Sequence, residues 1–114
     1  MEIVGQAKRL RIYIGESDRW HGQSLYTAIV QEARKAGLAG ATVLRGIEGF
    51  GAESRIHTAR ILRLSEDLPI VVELVDDPQR LDSFLPTLLL MVGGGLVTAD
   101  EVEILHYQPG SSGG

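Results

Sequence analysis

Residues 37–57, GLAGATVLRGIEGFGAESRIH, decide how this chain folds, because a helix stop, a strand and a glycine-hinged loop follow one another there without a break. Gly37 ends a helical pattern and can take the left-handed conformation that closes a helix, and Ala41–Ile47 then reads as an apolar strand. Gly49, Phe50 and Gly51 come next. Two glycines around one aromatic permit backbone angles that a side chain would forbid, so the strand is released into a projecting loop over about residues 50–66. That loop carries Glu53, Arg55, His57, Arg60 and Arg63, a concentration of polar groups unlike anything earlier in the chain.

Working outward, Leu10, Ile12 and Ile14 alternate with Arg11 and Tyr13, which predicts a first strand from about Lys8. The segment GESDRWHGQS has turn and loop chemistry and leads to Ser24, a candidate N-cap. Leu25, Ala28, Ile29, Ala33 and Ala36 then recur at helical spacing up to Gly37. On the far side, Ala52–Asp67 holds no steady period. IVVELV, Ile70–Val75, is the near-continuous apolar run of a strand covered on both faces. Asp76, Asp77 and Pro78 open a second helix, whose inner face is Leu81, Phe84, Leu85, Leu88 and Val92. Pro86 removes one backbone bond and predicts a kink or a weaker first half. The helix stops at Gly93, Gly94 and Gly95. A last strand runs Leu96–His106, anchored by Leu96, Val102, Ile104 and Tyr107. The composition of QPGSSGG predicts a flexible tail over 108–114, after a single domain over 1–107.

The order strand, helix, strand, strand, helix, strand, closed by right-handed crossovers, gives an α+β ferredoxin-like βαββαβ sandwich: an antiparallel sheet with both helices on one face. The other face stays open. With 44% hydrophobic residues in only 114, and a mean hydropathy of +0.06, apolar surface exceeds what one small core hides, so that face is the expected subunit interface. A net charge of −4 argues against generic nucleic-acid binding. The absence of cysteine excludes disulfides and thiolate chemistry and fits a cytoplasmic setting. MEIVGQAKRL reads as neither a signal peptide nor a membrane span.

The runs GLAGATVLRGIEGFG and RIHTARILRLSEDLPIVVELVD resemble the PII-like proteins of domain-of-unknown-function family 190 (DUF190), relatives of the nitrogen-regulatory PII signal transducers, over about Leu10–Ile104. The resemblance implies a compact homotrimer with its sheets facing the threefold axis and a mobile T-loop after the second strand that meets target proteins. It also implies adenine-nucleotide binding in clefts between subunits, near positions matching Gly49, Phe50 and Gly51 and the glycine turn Gly93, Gly94 and Gly95. The Asp and Lys of the PII glycine turn are absent here, as is the arginine pair after the last strand, where this chain has His106 and Tyr107. Tyr13, Tyr26 and Tyr107 all lie outside the loop.

Gly93–Gly95 can cradle a phosphate with convergent N–H groups, or simply form a helix cap and turn. Arg55, Arg60 and Arg63 can grip an anion, or be solvated beside Glu53, Glu66 and Asp67. Arg45, a charge in a strand, needs a partner such as Glu48 or Glu103. Glu16 and Asp18 can hold a hard cation or a ribose hydroxyl, or be solvated acids in a loop. Trp20 packs, or stacks on a base. His21, His57 and His106 lack metal-ligand spacing. No nucleophile motif or catalytic carboxylate pair is present, so an enzyme is not expected. The expected function is a signal-transduction protein that binds a small anionic effector, an adenine nucleotide, through Gly49, Phe50, Gly51, Arg55, His57 and Gly93–Gly95, with no fixed cofactor or metal. The resemblance to relatives of PII implies a membrane transporter or channel as a possible target. A trimeric metal-binding or stress-tolerance protein of the same fold is the alternative.

Overall fold

The computed structural model describes residues 4–50, 57–58 and 67–109. The central strand is β1, Gly5–Gly15, and its two neighbours are β7, Pro69–Asp76, and β8, Leu96–Ile104. β4, Ala41–Arg45, lies on the outer side of β7, so the sheet order is β4-β7-β1-β8 with every pairing antiparallel. This is the ferredoxin-like arrangement that the element order predicts.

Alternation sets which residues enter the core. In the β1–β7 register Leu10 faces Leu74, Ile12 faces Val72 and Ile14 faces Ile70, and all six are buried. Helix α1, Leu25–Lys35, and helix α2, Pro78–Met91, cover that face with Leu25, Ala28, Ile29, Ala33, Leu81, Phe84, Leu88 and Met91. Each fully buried leucine or isoleucine contributes roughly 1.5–3 kcal/mol. Ala36, expected on the inner face of α1, is exposed, because it is the cap residue and lies past the last packed turn.

The odd-numbered residues of β7 give a correction. Val71, Glu73 and Val75 are half-buried rather than covered, because neighbouring side chains shield them and, among the described residues, no second layer lies over that face. The face is also less greasy than the strand sequences suggest. Arg11 pairs with Glu73, and Arg9 with Asp100, across its middle, leaving Tyr13, Leu44 and Leu96 as an exposed apolar group at one end.

Local chemistry explains most boundaries. Gly37 has φ 79° at the end of α1, and Leu38 N–H returns to the Ala33 carbonyl, closing the last turn. β4 stops at Arg45 instead of Ile47. Pro69, the next partner on β7, has no N–H to give, and a side chain at position 46 would collide with its ring. The chain continues as β5, Glu48–Gly49, which pairs with β6, His57–Thr58. The GESDRWHGQS segment folds its second half into a small hairpin, β2, Arg19–Trp20, and β3, Gln23–Ser24, turning through His21 and Gly22, both at positive φ.

Ser24 is the N-cap of α1 by position but makes no side-chain cap bond. Asp77 does cap α2, accepting from Gln79 N–H. Pro86 does not interrupt α2. It sits on the exposed side, beside exposed Asp82, where water can take the carbonyl that loses its donor. β8 ends at Ile104, opposite Gly5, where its partner strand begins, so His106 lies beyond the strand, and Leu96 is exposed rather than an anchor. Among the described residues no helix is long and apolar enough to cross a membrane.

Candidate functional site

Two regions carry the candidate residues, and the strand order fixes where each lies. At the end of the sheet where β1 finishes, the turn 15–18 ties down both stems of the segment between β4 and β7. Glu16 N–H donates to the Leu68 carbonyl at 2.8 Å, while Ser17 donates to Asp67 Oδ1 through its N–H at 3.0 Å and its hydroxyl at 2.7 Å. Arg45, at the end of β4, pairs with Glu16, not with Glu48 or Glu103, because the crossover brings the β1 turn beside the end of β4. Asp18 accepts from Gly15 N–H at 3.0 Å. Both acids of the Glu16/Asp18 pair thus engage the turn and the end of β4.

Gly49 lies against the Pro69 ring, Phe50 is 71% exposed, and His57 is paired with Gly49 across the β5–β6 ladder. Gly51 and Arg55, with Arg60 and Arg63, lie outside the described residues. Gly93–Gly95 are at the same end of the sheet, where a Cβ on Gly95 would approach the Tyr13 carbonyl to 2.8 Å. They stand at the start of β8, whereas Gly49 lies against Pro69 of β7, and β7 and β8 are two strand spacings apart, about 10 Å. The structure brings Gly49, Phe50 and His57 together and does not bring them to Gly93–Gly95 within one chain.

A second region was missed in sequence. On the uncovered face, at the end where β1 begins, a concavity of about 380 Å³ has Thr42, Glu73 and Val75 as its floor. Its wall is the Ala39–Ala41 backbone, and the chain leaving β8 borders it with Ile104, His106 and Tyr107. Tyr107 hydroxyl reaches the Ala39 carbonyl at 3.5 Å. Arg11 Nε holds Glu73 Oε2 at 2.9 Å, so one carboxylate oxygen is engaged from the side. The lining mixes apolar Ala41, Val75 and Ile104 with polar Thr42, Glu73, His106 and Tyr107, and the concavity is broadly open to solvent. Alternation alone places Thr42 with Glu73, but only the register and the path of residues 105–107 make a cavity of them.

Beside that floor, Arg9 grips Asp100 with two bonds, of 3.1 and 2.7 Å. These bonds hold the Asp100 carboxyl below its ordinary range and raise the Arg9 guanidinium. Trp20 packs on the core and stacks with His21, centroids 4.3 Å apart. No group of three His, Cys, Asp or Glu side chains able to hold a metal occurs among the described residues.

The DUF190 family, described as an uncharacterized group, matches residues 7–104. A UPF0166 protein of Aquifex aeolicus is 33% identical over 106 residues, covering 93% of this chain and 99% of that protein. A UPF0166 protein of Methanocaldococcus jannaschii is 33% identical over 100 residues, covering 87% and 92%. Among solved structures the chain is similar to CPII, a nitrogen regulatory PII-like protein from Thiomonas intermedia K12. In its form bound to ADP, AMP and bicarbonate the TM-score is 0.60 at 15% identity, covering 89% of this chain and 90% of that one. In the form bound to ADP and bicarbonate the TM-score is 0.56 at 17% identity, with the same coverage. At those identities the likeness is one of fold. The family match over residues 7–104 and these sequence relatives establish that the chain belongs to the DUF190 family, with a fold similar to that of PII-like proteins.

Proposed function

We propose that this chain is a cytoplasmic signalling protein that assembles as a homotrimer, binds an adenine nucleotide in the clefts between copies, and regulates a partner through the segment between β4 and β7, without a catalytic step of its own. The observation that carries the reading is the concavity of about 380 Å³ over Thr42, Glu73 and Val75. It is an open concavity that sets apolar Ala41, Val75 and Ile104 beside polar Thr42, Glu73, His106 and Tyr107, a mixed surface that a base and its hydrogen-bonding edge can use, and it opens on the uncovered sheet face. The glycine turn suited to phosphates is at the other end of the same sheet, so a second copy is needed to bring one against the other. Relatives of the fold support the ligand class, since CPII is bound to ADP and AMP.

A membrane transporter or channel is the proposed target, reached by way of Phe50 and the segment beyond it. An effector shifts that segment only by its differential affinity for two arrangements, and the 15–18 turn, holding both stems, is where such a difference can be registered. Calorimetry with AMP, ADP and ATP, each with and without bicarbonate, tests the reading. Saturable heat at one nucleotide per chain is expected; absence of heat with all three sinks it.

A further inference from the structure

Asp76 is a carboxylate with no exposure at all, at the end of β7, and nothing in the proposed ligand contacts uses it. Its Oδ2 accepts from Ala39 N–H at 2.8 Å and its Oδ1 from Asp77 N–H at 2.6 Å. Arg80, one turn into α2, brings Nε to 3.2 Å from Oδ1 and donates through Nη2 to the Gly37 carbonyl. The Arg80 Nε atom is buried and has no hydrogen bond of good geometry, so its charge is answered chiefly by Asp76. Burying a carboxylate is costly unless several donors meet it. Here those donors come from two elements, the α1–β4 turn and the start of α2.

That turn is also the wall of the concavity. Ala39, whose N–H is held by Asp76, offers its carbonyl to Tyr107 on the side bordered by the chain leaving β8, and Gly40 follows it along the wall. The loop wall is thus held from behind by a buried charge that does not itself line the concavity. We propose that Asp76, with Arg80, is a positioning residue for this site: it holds the Ala39–Gly40 backbone at the spacing a planar ligand requires. The inference rests on the ligand reading above for its bearing on affinity, but the hub itself can be tested without ligand.

Amide hydrogen exchange in the full chain comes first. Ala39 N–H is expected to be protected in the wild type and to lose that protection in Asp76→Asn, whose amide sets N–H₂ against one of the two backbone donors. Rapid exchange of Ala39 in the wild type overturns the hub whatever binds.

Calorimetry with ADP comes second. Asp76→Asn is expected to weaken ADP at least tenfold, while Leu25→Ala, a core truncation at the far end of α1, lowers the melting temperature without changing affinity. Equal affinity in Asp76→Asn and wild type, or equal loss in both variants, overturns the positioning role. If Asp76→Asn does not fold, Arg80→Gln, which frees the Gly37 carbonyl but leaves both backbone bonds to Asp76, is expected to give a smaller loss in affinity, and no loss counts against the role. Absence of ADP binding by the wild type defeats the nucleotide reading, and the exchange result then decides the hub alone.

Discussion

Replacing Gly95 by alanine should unseat the start of β8, whereas the same change at Gly93 should be harmless. A Cβ at Gly95 would lie 2.8 Å from the Tyr13 carbonyl oxygen, 3.1 Å from Ile14 Cγ2 and 3.2 Å from Val92 Cγ1. The first contact is with backbone of the central strand, which cannot swing aside as a side chain tip does, so β8 must move off β1. Overpacking of this kind costs about 1–3 kcal/mol. At about 2.1 cal/mol/K per residue the unfolding entropy of 114 residues is about 0.24 kcal/mol/K, and the melting temperature should fall by about 4–12 °C.

At Gly93 none of the described residues lies within 4 Å of the added methyl and φ is not positive, so the reduced freedom of the unfolded chain leaves stability unchanged or raised by up to about 1 kcal/mol. Scanning calorimetry of both variants at one protein concentration reads the difference, concentration being fixed because association shifts the midpoint. A Gly93→Ala loss as large as that of Gly95→Ala, or no loss at Gly95, refutes the assignment of the turn's structural burden to Gly95. With stability intact, weaker nucleotide binding by Gly93→Ala isolates the phosphate-cradling part of the turn.

Asp100 should titrate below the ordinary value of 3.8, since its neutral form gives up the Arg9 fork. Its folded value is depressed, so its stabilising contribution is complete above about pH 4 and is lost as pH falls through the folded value. Carbon-detected titration reads this directly, and a midpoint at or above 3.8 contradicts it. Leu96→Asp places a charge beside Tyr13 on the open face, where Leu96 is 55% exposed in the single chain. Sedimentation should show trimers giving way to folded monomers, and an unchanged trimer would remove that face from the interface. Arg45→Ala should cost less than about 1 kcal/mol, because the Arg45 side chain is 59% exposed and its pairing with Glu16 is screened; a shift in the urea midpoint equivalent to several kcal/mol would show that the turn depends on it.

Much of the fold could be read from periodicity because the period and the burial have one cause. Leu10, Ile12 and Ile14 alternate, and α2 spaces Leu81, Phe84 and Leu88 along one side, since each element has a single face toward the core. Asp77 and Pro78 mark a helix start by purely local chemistry, and Gly37 a helix end. The errors fall where a distant partner decides. β4 is cut short by the missing N–H of Pro69, and Arg45 finds Glu16 because a crossover brings the β1 turn to it.

Sequence by itself therefore determined the element order, the core faces and the two glycine-bearing stretches, because those depend on residues within a few positions of one another. Only the tertiary structure decided that Gly49 lies against Pro69 while Gly95 lies against Tyr13, that Asp76 clasps Ala39 from 37 positions away, and that Thr42, Glu73 and Tyr107 line one concavity. Strand register and the path of the chain beyond β8 set those distances, and both are fixed by packing between segments far apart along the chain.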